Sequence, residues 1–388
     1  MLSQLSRSQR IVLALTLLIA AATVLIGGLV HTPPARTSPV AFGIDMSIQQ
    51  IAPHLDVTGK SFARELGLPL AAPKNRPLKT LGVTQQQLDH ATEHLLGHRD
   101  AVLKYYVFAA LALLGLVYLV RLGRPDNTTP VDRRSWYPRW PYVLCLILSV
   151  AVCGFALGKS PNPMEGAVKA FKSMVGLYPS VTAKVLALCF FAVLAIVGNK
   201  LICGWACPFG ALQELIYHLP ILKRLKKRRI PFVVTNSIRA VLFVVALLLL
   251  FGVVGGKQGF VVYHYLNPFN LFNWDIESLT VGLVIGLSLV TSLGFYRPFC
   301  QFICPFGLLS WLFERVSLFR VRIDHNRCIQ CGACDEACPL DAAKGILARK
   351  RFPADCFSCG RCLNVCPTDA IRYEAVWKKH GAMENRKG

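Results

Sequence analysis

Charge is scarce in this 388-residue chain, and acidic charge is scarcest: only 16% of residues are charged, with 21 Asp and Glu against 43 Lys and Arg, a formal net charge of +22. Hydrophobic residues make up 54%, and the mean hydropathy is +0.45. That composition excludes an ordinary soluble domain. Also missing are a glycine-rich nucleotide loop, a haem-attaching Cys-x-x-Cys-His and a complete catalytic triad, which argues against an autonomous enzyme. The basic excess does not point to nucleic acid. Lys and Arg cluster beside apolar runs, where they fix topology and face anionic membrane lipid.

What is present is a set of long apolar runs. Six stretches approach the length needed to cross a hydrocarbon core of about 30 Å: Ile11 to Val30, Ala101 to Val120, Tyr142 to Leu157, Val181 to Gly198, Pro231 to Val254 and Leu279 to Phe295. The first follows Arg7 and Arg10 but has a longer apolar core than a signal peptide and no clear cleavage site, so it reads as an uncleaved anchor. Basic residues concentrate at 121 to 140 (Arg121, Arg124, Arg133, Arg134, Arg139) and at 200 to 230 (Lys200, Lys223, Arg224, Lys226, Lys227, Arg228, Arg229). Both segments are therefore expected in the cytoplasm, with the C-terminus on the same side. The chain reads as mainly α, a six-span integral membrane protein. It divides into an anchor (1–30), an extracytoplasmic helical module (31–100), a second span with a basic loop (101–140), two membrane units (141–230 and 231–320) and a C-terminal domain (321–388).

Within 31–100, Thr84 followed by Gln87 forms a helix-starting capping box, and PLAAPKNRP is a proline-rich connector. His90, His94 and His98 fall at i, i+4 and i+8 and could share a face for metal or haem iron. With no cysteine or carboxylate constellation beside them, a polar helix face is the favoured reading.

The 15 cysteines decide the chemistry. Cys145, Cys153 and Cys189 lie singly within apolar runs and behave as small apolar residues. Near the C-terminus, CIQCGACDEACP and CFSCGRCLNVCP each follow the Cys-x-x-Cys-x-x-Cys-x-x-x-Cys-Pro run of two-cluster bacterial ferredoxins. Two-residue intervals wrap three thiolates around one face of a cubane, and the fourth cysteine of each run crosses to the other cluster. Cys328, Cys331, Cys334 and Cys366 are thus expected on one 4Fe-4S cluster, and Cys356, Cys359, Cys362 and Cys338 on the second. Gly332 and Gly360 relieve crowding where backbone approaches cluster. Four-cysteine zinc and disulfides are the alternatives; two complete runs oppose the first and a cytoplasmic location the second.

A second cysteine pattern occurs twice. CGWACPFG at 203–210 returns as CQFICPFG at 300–307, and Asn162-Pro163 and Asn267-Pro268 precede them at corresponding places. Residues 141–230 and 231–320 thus look like two copies of one two-span unit, related by a pseudo-twofold axis along the membrane normal. That symmetry would bring Cys203, Cys207, Cys300 and Cys304 to the same depth. Three uses stay open, a redox disulfide within each pair, transient metal binding, or a metal centre shared by all four, beside a purely structural role, which the close repetition disfavours.

SPNPMEG at 160–166, the two Cys-x-x-x-Cys-Pro-Phe-Gly motifs and the two ferredoxin runs together resemble the membrane polyferredoxins of the NapH/NosR type, over roughly residues 141–373. That family includes membrane subunits of periplasmic nitrate-reduction systems and proteins supporting nitrous-oxide reductase, and a related group assists cytochrome-oxidase assembly. The resemblance implies electron transfer at a bacterial inner membrane between a quinol or cytoplasmic donor and an extracytoplasmic partner such as a cytochrome or reductase. The alternative is a redox-dependent assembly or regulatory factor for a metalloenzyme. This chain departs from the nitrate-system form in its two extra N-terminal spans and helical module, and from the nitrous-oxide form in lacking a large flavin-binding outer domain. For a quinone site the sequence offers Arg239 within the fifth span as a headgroup or counter-ion contact, with snorkelling the favoured reading, and His264 and Asp275 as loop proton carriers, against the common case of loop residues that do not titrate.

Overall fold

The structure, a computed structural model, describes residues 42–55, 57, 59–69, 72–96, 100–122, 140–178, 181–219, 221, 226, 229–254, 259–274, 276, 278–350 and 353–377. The expected anchor Ile11 to Val30 lies outside these residues, as do His98, Asp275 and most of the first basic loop.

The N-terminal module is helical: α1 (Ile48–His54), α2 (Gly59–Glu65), a 3-10 turn (Leu78–Leu81) and α3 (Gln85–Leu96). Two capping boxes start its helices. The Thr84 backbone N–H donates to Gln87 Oε1 at 2.9 Å and the Gln87 N–H returns to Thr84 Oγ1 at 3.3 Å, and Ser47 and Gln50 repeat the device at α1. Ile48, Ile51, Phe62, Leu78 and Leu88 close a small core of their own. His90 faces solvent.

Three described helices are long and apolar enough to cross a membrane, within α4 (Asp100–Leu122), α7 (Val181–Gly198) and α9 (Phe232–Leu250). Two shorter apolar helices accompany them. One is α5 (Trp140–Leu148), which widens into a π-helical stretch (Ser149–Ala156), and the other is α11 (Leu279–Ser292). The outward faces stay apolar: Val233 is 74% exposed and Leu279 80%, surface that suits lipid and not water. Cys189 also faces outward, while Cys145 and Cys153 are buried, as small apolar residues would be.

The Asn-Pro segments form one end of the bundle. Asn162 caps α6 (Pro163–Met174) by accepting from the Glu165 N–H at 2.8 Å, and Asn267 caps a 3-10 turn (Pro268–Asn273) by accepting from the Phe269 N–H at 3.1 Å. Asn273 Oδ1 then accepts from the Lys159 N–H at 2.7 Å, tying one loop to the other. The helix α4 runs from this end, where Lys104 Nζ reaches the Gly158 carbonyl, to the other, where Leu119 and Leu122 pack on Gly360.

At that other end stand the two cysteine motifs and the C-terminal domain. Its strands β1 (Phe319–Ile323) and β2 (Ile371–Ala375) pair antiparallel with Val321 opposite Tyr373, enclosing α14 (Ala333–Ala337), α15 (Ala342–Leu347) and α16 (Arg361–Val365). Between α11 and β1 come α12 (Pro298–Phe302) and α13 (Pro305–Phe313); α8 (Pro208–His218) and α10 (Val262–Tyr265) complete the order.

Candidate functional site

Each cysteine pair straddles a helix break. Cys203 lies in a π turn (Ile202–Ala206) and Cys207 is the N-cap of α8; Cys300 lies in α12 and Cys304 is the N-cap of α13. The pairs therefore do not lie along one continuous helical face. Pro208 and Pro305 have no N–H to donate, so each occupies the first turn of a new helix. Cys203 and Cys300 are buried and Cys207 and Cys304 half-buried, all four with free thiols. Gln213 Nε2, on the helix that follows the first pair, lies 3.6 Å from Cys300 Sγ of the second, and Arg297, just ahead of the second pair, donates to the Cys203 and Gly204 carbonyls of the first. The two motifs thus converge on one place.

Three fully buried cations surround that place. Lys200, counted at first with the basic loop, is fully buried, and so is Arg297. Arg239 is also fully buried, which overturns snorkelling in favour of the counter-ion reading, because a guanidinium inside a bundle needs a carboxylate and carbonyls around it. Its Nη1 lies 3.0 Å from Asp355 Oδ2 and donates to the Cys300 carbonyl at 3.1 Å. Lys200 pairs with the same Asp355 and donates to the Gly307 carbonyl at 3.2 Å. A second network mirrors the first. Arg297 Nε lies 2.7 Å from Glu214 Oε2, Arg361 Nη2 lies 2.5 Å from Glu214 Oε1, and Arg297 also donates to the Cys203 and Gly204 carbonyls. Burial pushes the Glu214 carboxyl upward, but Arg297 and Arg361 outweigh it and hold the group down at about 2. Burial beside Arg361 lowers His218 to about 4.

Asp355 and Arg361 belong to the C-terminal domain and flank Cys356 and Cys362, so both networks lock that domain onto the membrane motifs. Trp205 Nε1 adds a bond to the Ser358 carbonyl at 2.9 Å, Ser358 Oγ donates to the Asn199 carbonyl at 2.7 Å and Tyr373 OH to the Gly198 carbonyl at 2.7 Å. Gly204 is glycine because a Cβ there would stand 2.0 Å from the Phe357 carbonyl oxygen.

In the C-terminal domain, Cys338, Cys356, Cys359 and Cys362 line a single cavity together with Tyr296 and Arg361. Backbone N–H groups of Leu340 and Ala343 point at Cys338, that of Ser358 at Cys356 and that of Arg361 at Cys359. Cys328 and Cys366 both act on Cys334, and Cys331 is exposed beside them. Among the described residues no three His, Cys, Asp or Glu side chains gather as tightly as the ligands of a single ion. Thiols spread around a cavity, with amides directed at sulfur, fit a cubane better than zinc. Burial pushes the Cys359 thiol up to about 11, so a bound metal would have to stabilise its thiolate. Gly332 and Gly360 take φ of 75° and 79°. The left-handed conformation is what Gly332 requires, since nothing stands within 4 Å of a Cβ there, whereas Gly360 also meets Leu119 at 2.9 Å.

His264 is half-buried, its ring edge-on to Tyr265. Lys200, first counted with the basic loop, carries the junction together with Arg297, Glu214, Asp355 and Arg361, which had no assigned role in the sequence reading. The available signal was a basic residue three positions ahead of each cysteine pair, inside otherwise apolar sequence.

These features define an iron–sulfur membrane protein, and comparison with known proteins agrees. A family model described as a 4Fe-4S binding domain matches twice, at residues 182–231 and 279–324, and a 4Fe-4S dicluster domain matches residues 321–373. An uncharacterized protein of Methanocaldococcus jannaschii is 29% identical over 51% of this chain and 71% of its own length. The regulatory protein NosR of Pseudomonas aeruginosa is 28% identical over 41% of this chain and 27% of its own length, and the ferredoxin-type protein NapH of Escherichia coli 25% identical over 46% and 61%. No solved structure matches. The chain is similar to the membrane polyferredoxins of the NapH/NosR type.

Proposed function

We propose that the chain relays single electrons between a quinol or cytoplasmic donor and an extracytoplasmic redox partner at the bacterial inner membrane. Cys328, Cys331, Cys334 and Cys366 would hold one 4Fe-4S cluster and Cys338, Cys356, Cys359 and Cys362 another; such clusters supply one-electron redox chemistry when bound. What supports an ordered path is the asymmetry of the two sets. Cys331 is exposed and Ile329 beside it is 64% exposed, a face open to a soluble donor, whereas the second set is packed against the membrane motifs. Arg361, Tyr296 and Phe357 exclude water there, and the paired charges fix the distance to the cysteine motifs. Residues 141–230 and 231–320 act as two copies of one unit that sets those motifs side by side. The cytoplasm would hold the cluster domain and the opposite side residues 31–100.

The test is anaerobic purification of the intact membrane complex, identification of the copurifying protein, and optical measurement of electron transfer from the pre-reduced chain. An extracytoplasmic redox partner that becomes reduced is expected. A copurifying metalloenzyme precursor that takes up no electrons would reject the relay in favour of an assembly role.

A further inference from the structure

A continuous file of aromatic rings joins the cysteine motifs to the opposite end of the bundle. Phe299 immediately precedes Cys300 and Phe209 follows Cys207 and Pro208, so both rings start at the motifs. They meet edge to face with centroids 5.3 Å apart. Phe209 then lies 6.0 Å from Phe269, Phe269 lies 6.1 Å from Phe272, and Phe272 meets Phe155 edge to face at 5.2 Å. Phe155 in turn lies 5.8 Å from Trp274. The first four rings are buried, Phe155 is partly exposed, and Trp274 ends the file 75% exposed beside the Asn-Pro loops.

Core packing accounts for the inner rings but not for the outer end. Trp274 holds a left-handed backbone conformation with φ of 54°, an outlier for so bulky a residue and one that persists only where its surroundings fix it. Its neighbour Asn273 provides that fixing, with Oδ1 accepting the Lys159 N–H at 2.7 Å from the other loop. Phe155 lies in the π-helical stretch Ser149–Ala156, a widening that recurs at functional sites. Beside it, Gly154 lets the next ring come close, since a Cβ there would stand 2.6 Å from the Phe272 ring. Phe155 and Phe209 come from residues 141–230 and the other four rings from 231–320, so the file follows the seam between the two. A headgroup anchor is the competing use of an exposed Trp at a membrane surface.

We propose that these six rings carry electrons between the cysteine motifs and the opposite face of the membrane, with Trp274 as the point of contact for a one-electron redox protein on that side. The path rests on the relay proposed above and supplies its crossing of the membrane. The electron given up by a reduced iron–sulfur cluster ends on the acceptor at Trp274, which is reduced by it. No ring changes its own redox state and no proton moves, because the electron tunnels and none of the six side chains titrates. Tunnelling weakens steeply across unfilled gaps, and rings in contact leave none. Electron-transfer partners meet through small, transient interfaces, so an exposed indole backed by Phe155 is footing enough.

The test uses the full, cluster-loaded chain in phosphatidylcholine vesicles that enclose ferricyanide, with potassium and valinomycin to cancel the charge moved. Dithionite added outside is oxidised to sulfite while enclosed ferricyanide is reduced to ferrocyanide and bleaches, whichever way the chain is inserted; protein-free vesicles give the leak. Phe155 alone bridges Phe272 and Trp274 among the described rings, and it is partly exposed, so its replacement spares the core. Phe155→Leu should slow bleaching several-fold with iron content, EPR signals and thermal midpoint unchanged, and Phe155→Tyr, which keeps a ring, should retain the native rate. A second readout needs no cluster: the tryptophan emission lost in Trp274→Phe should be quenched by acrylamide from the water and not by brominated lipid. Native bleaching in Phe155→Leu, equal slowing in Phe155→Tyr, or quenching of Trp274 by brominated lipid alone would overturn the ring path and leave the relay standing. Wild-type chain whose clusters are reduced by dithionite yet bleach no ferricyanide would instead overturn the relay.

Discussion

Lys200 and Arg297 stand at matching places, three residues ahead of Cys203 and Cys300, and each holds a left-handed backbone conformation with φ of 61° and 45°. Each also crosses to the other motif: Lys200 donates to the Gly307 carbonyl at 3.2 Å and Arg297 to the Gly204 carbonyl at 2.9 Å. A non-glycine residue in this region costs of order 1–3 kcal/mol and persists only where its surroundings over-determine it. Here the over-determination comes from the carboxylates Asp355 and Glu214. The backbone ahead of each cysteine pair and the docking of the C-terminal domain are therefore one structural commitment.

Removing one of those carboxylates should show the coupling. Glu214→Gln leaves Arg297 and Arg361 buried without a counter-charge, and breaking a buried pair in this way costs about 3–5 kcal/mol. The thermal midpoint of the detergent-solubilised protein should fall, and limited proteolysis should release the C-terminal domain sooner. An unchanged midpoint and cleavage rate would show that the pair does not hold the junction.

Acid should act on the same contact. The Glu214 carboxyl sits at about 2 in the folded protein, below its ordinary value near 4.3, because the two guanidinium groups favour its charged form. A depressed carboxyl contributes stability above the unfolded value and loses it as pH falls toward the folded one. The contribution is thus complete at neutral pH and is lost as the pH falls below about 4 toward the folded value. Unfolding followed against pH should steepen in this window for the native chain. It should be flatter there for Glu214→Gln, which has no proton to take up.

The cysteine runs, three of the six expected apolar spans and the Thr84 capping box were legible in sequence because each rests on local spacing. The junction was not. Asp355 and Arg361 gain a role only when the fold sets them against Arg239 and Glu214, 116 and 147 positions away in the chain. Lys200 belonged to a basic segment by composition, yet the turn at 199–200 folds it inward.

Gly204 offers a test of docking that alters no charge. A methyl group there meets the Phe357 carbonyl oxygen at 2.0 Å, backbone that cannot step aside without moving the whole loop that carries Cys356 and Cys359. Gly204→Ala should lower the thermal midpoint and weaken the Trp205 to Ser358 bond, seen as a red-shifted tryptophan emission. Gly332→Ala is the comparison, since open space surrounds that position and only its φ of 75° resists the substitution. Equal effects of the two would refute a tight contact at Gly204.

The two ends of α4 carry a prediction of topology. Its Lys104 end meets the Asn-Pro loops and its Leu119 end meets the C-terminal domain. Residues 31–100 and the cluster domain should then lie on opposite sides of the membrane. An epitope inserted at residue 60 should be reached by antibody in spheroplasts, and one appended after residue 388 only after lysis. Accessibility of both epitopes in intact spheroplasts would refute the six-span arrangement.

The two C-terminal ligand sets should respond differently to loss of one cysteine. Cys331 is exposed, whereas Cys359 lines the cavity shared with Tyr296 and Arg361 at the junction. Either Cys331→Ser or Cys359→Ser should remove about four irons. Only the second should also loosen the domain from the membrane motifs, because its cavity wall includes Arg361, which holds Glu214. Iron analysis paired with limited proteolysis separates the two outcomes: Cys331→Ser should lose iron and keep the wild-type cleavage rate, and Cys359→Ser should lose iron and be cleaved faster. Identical cleavage of the two variants would show that the second cluster does not brace the junction, leaving the ion networks to hold it alone.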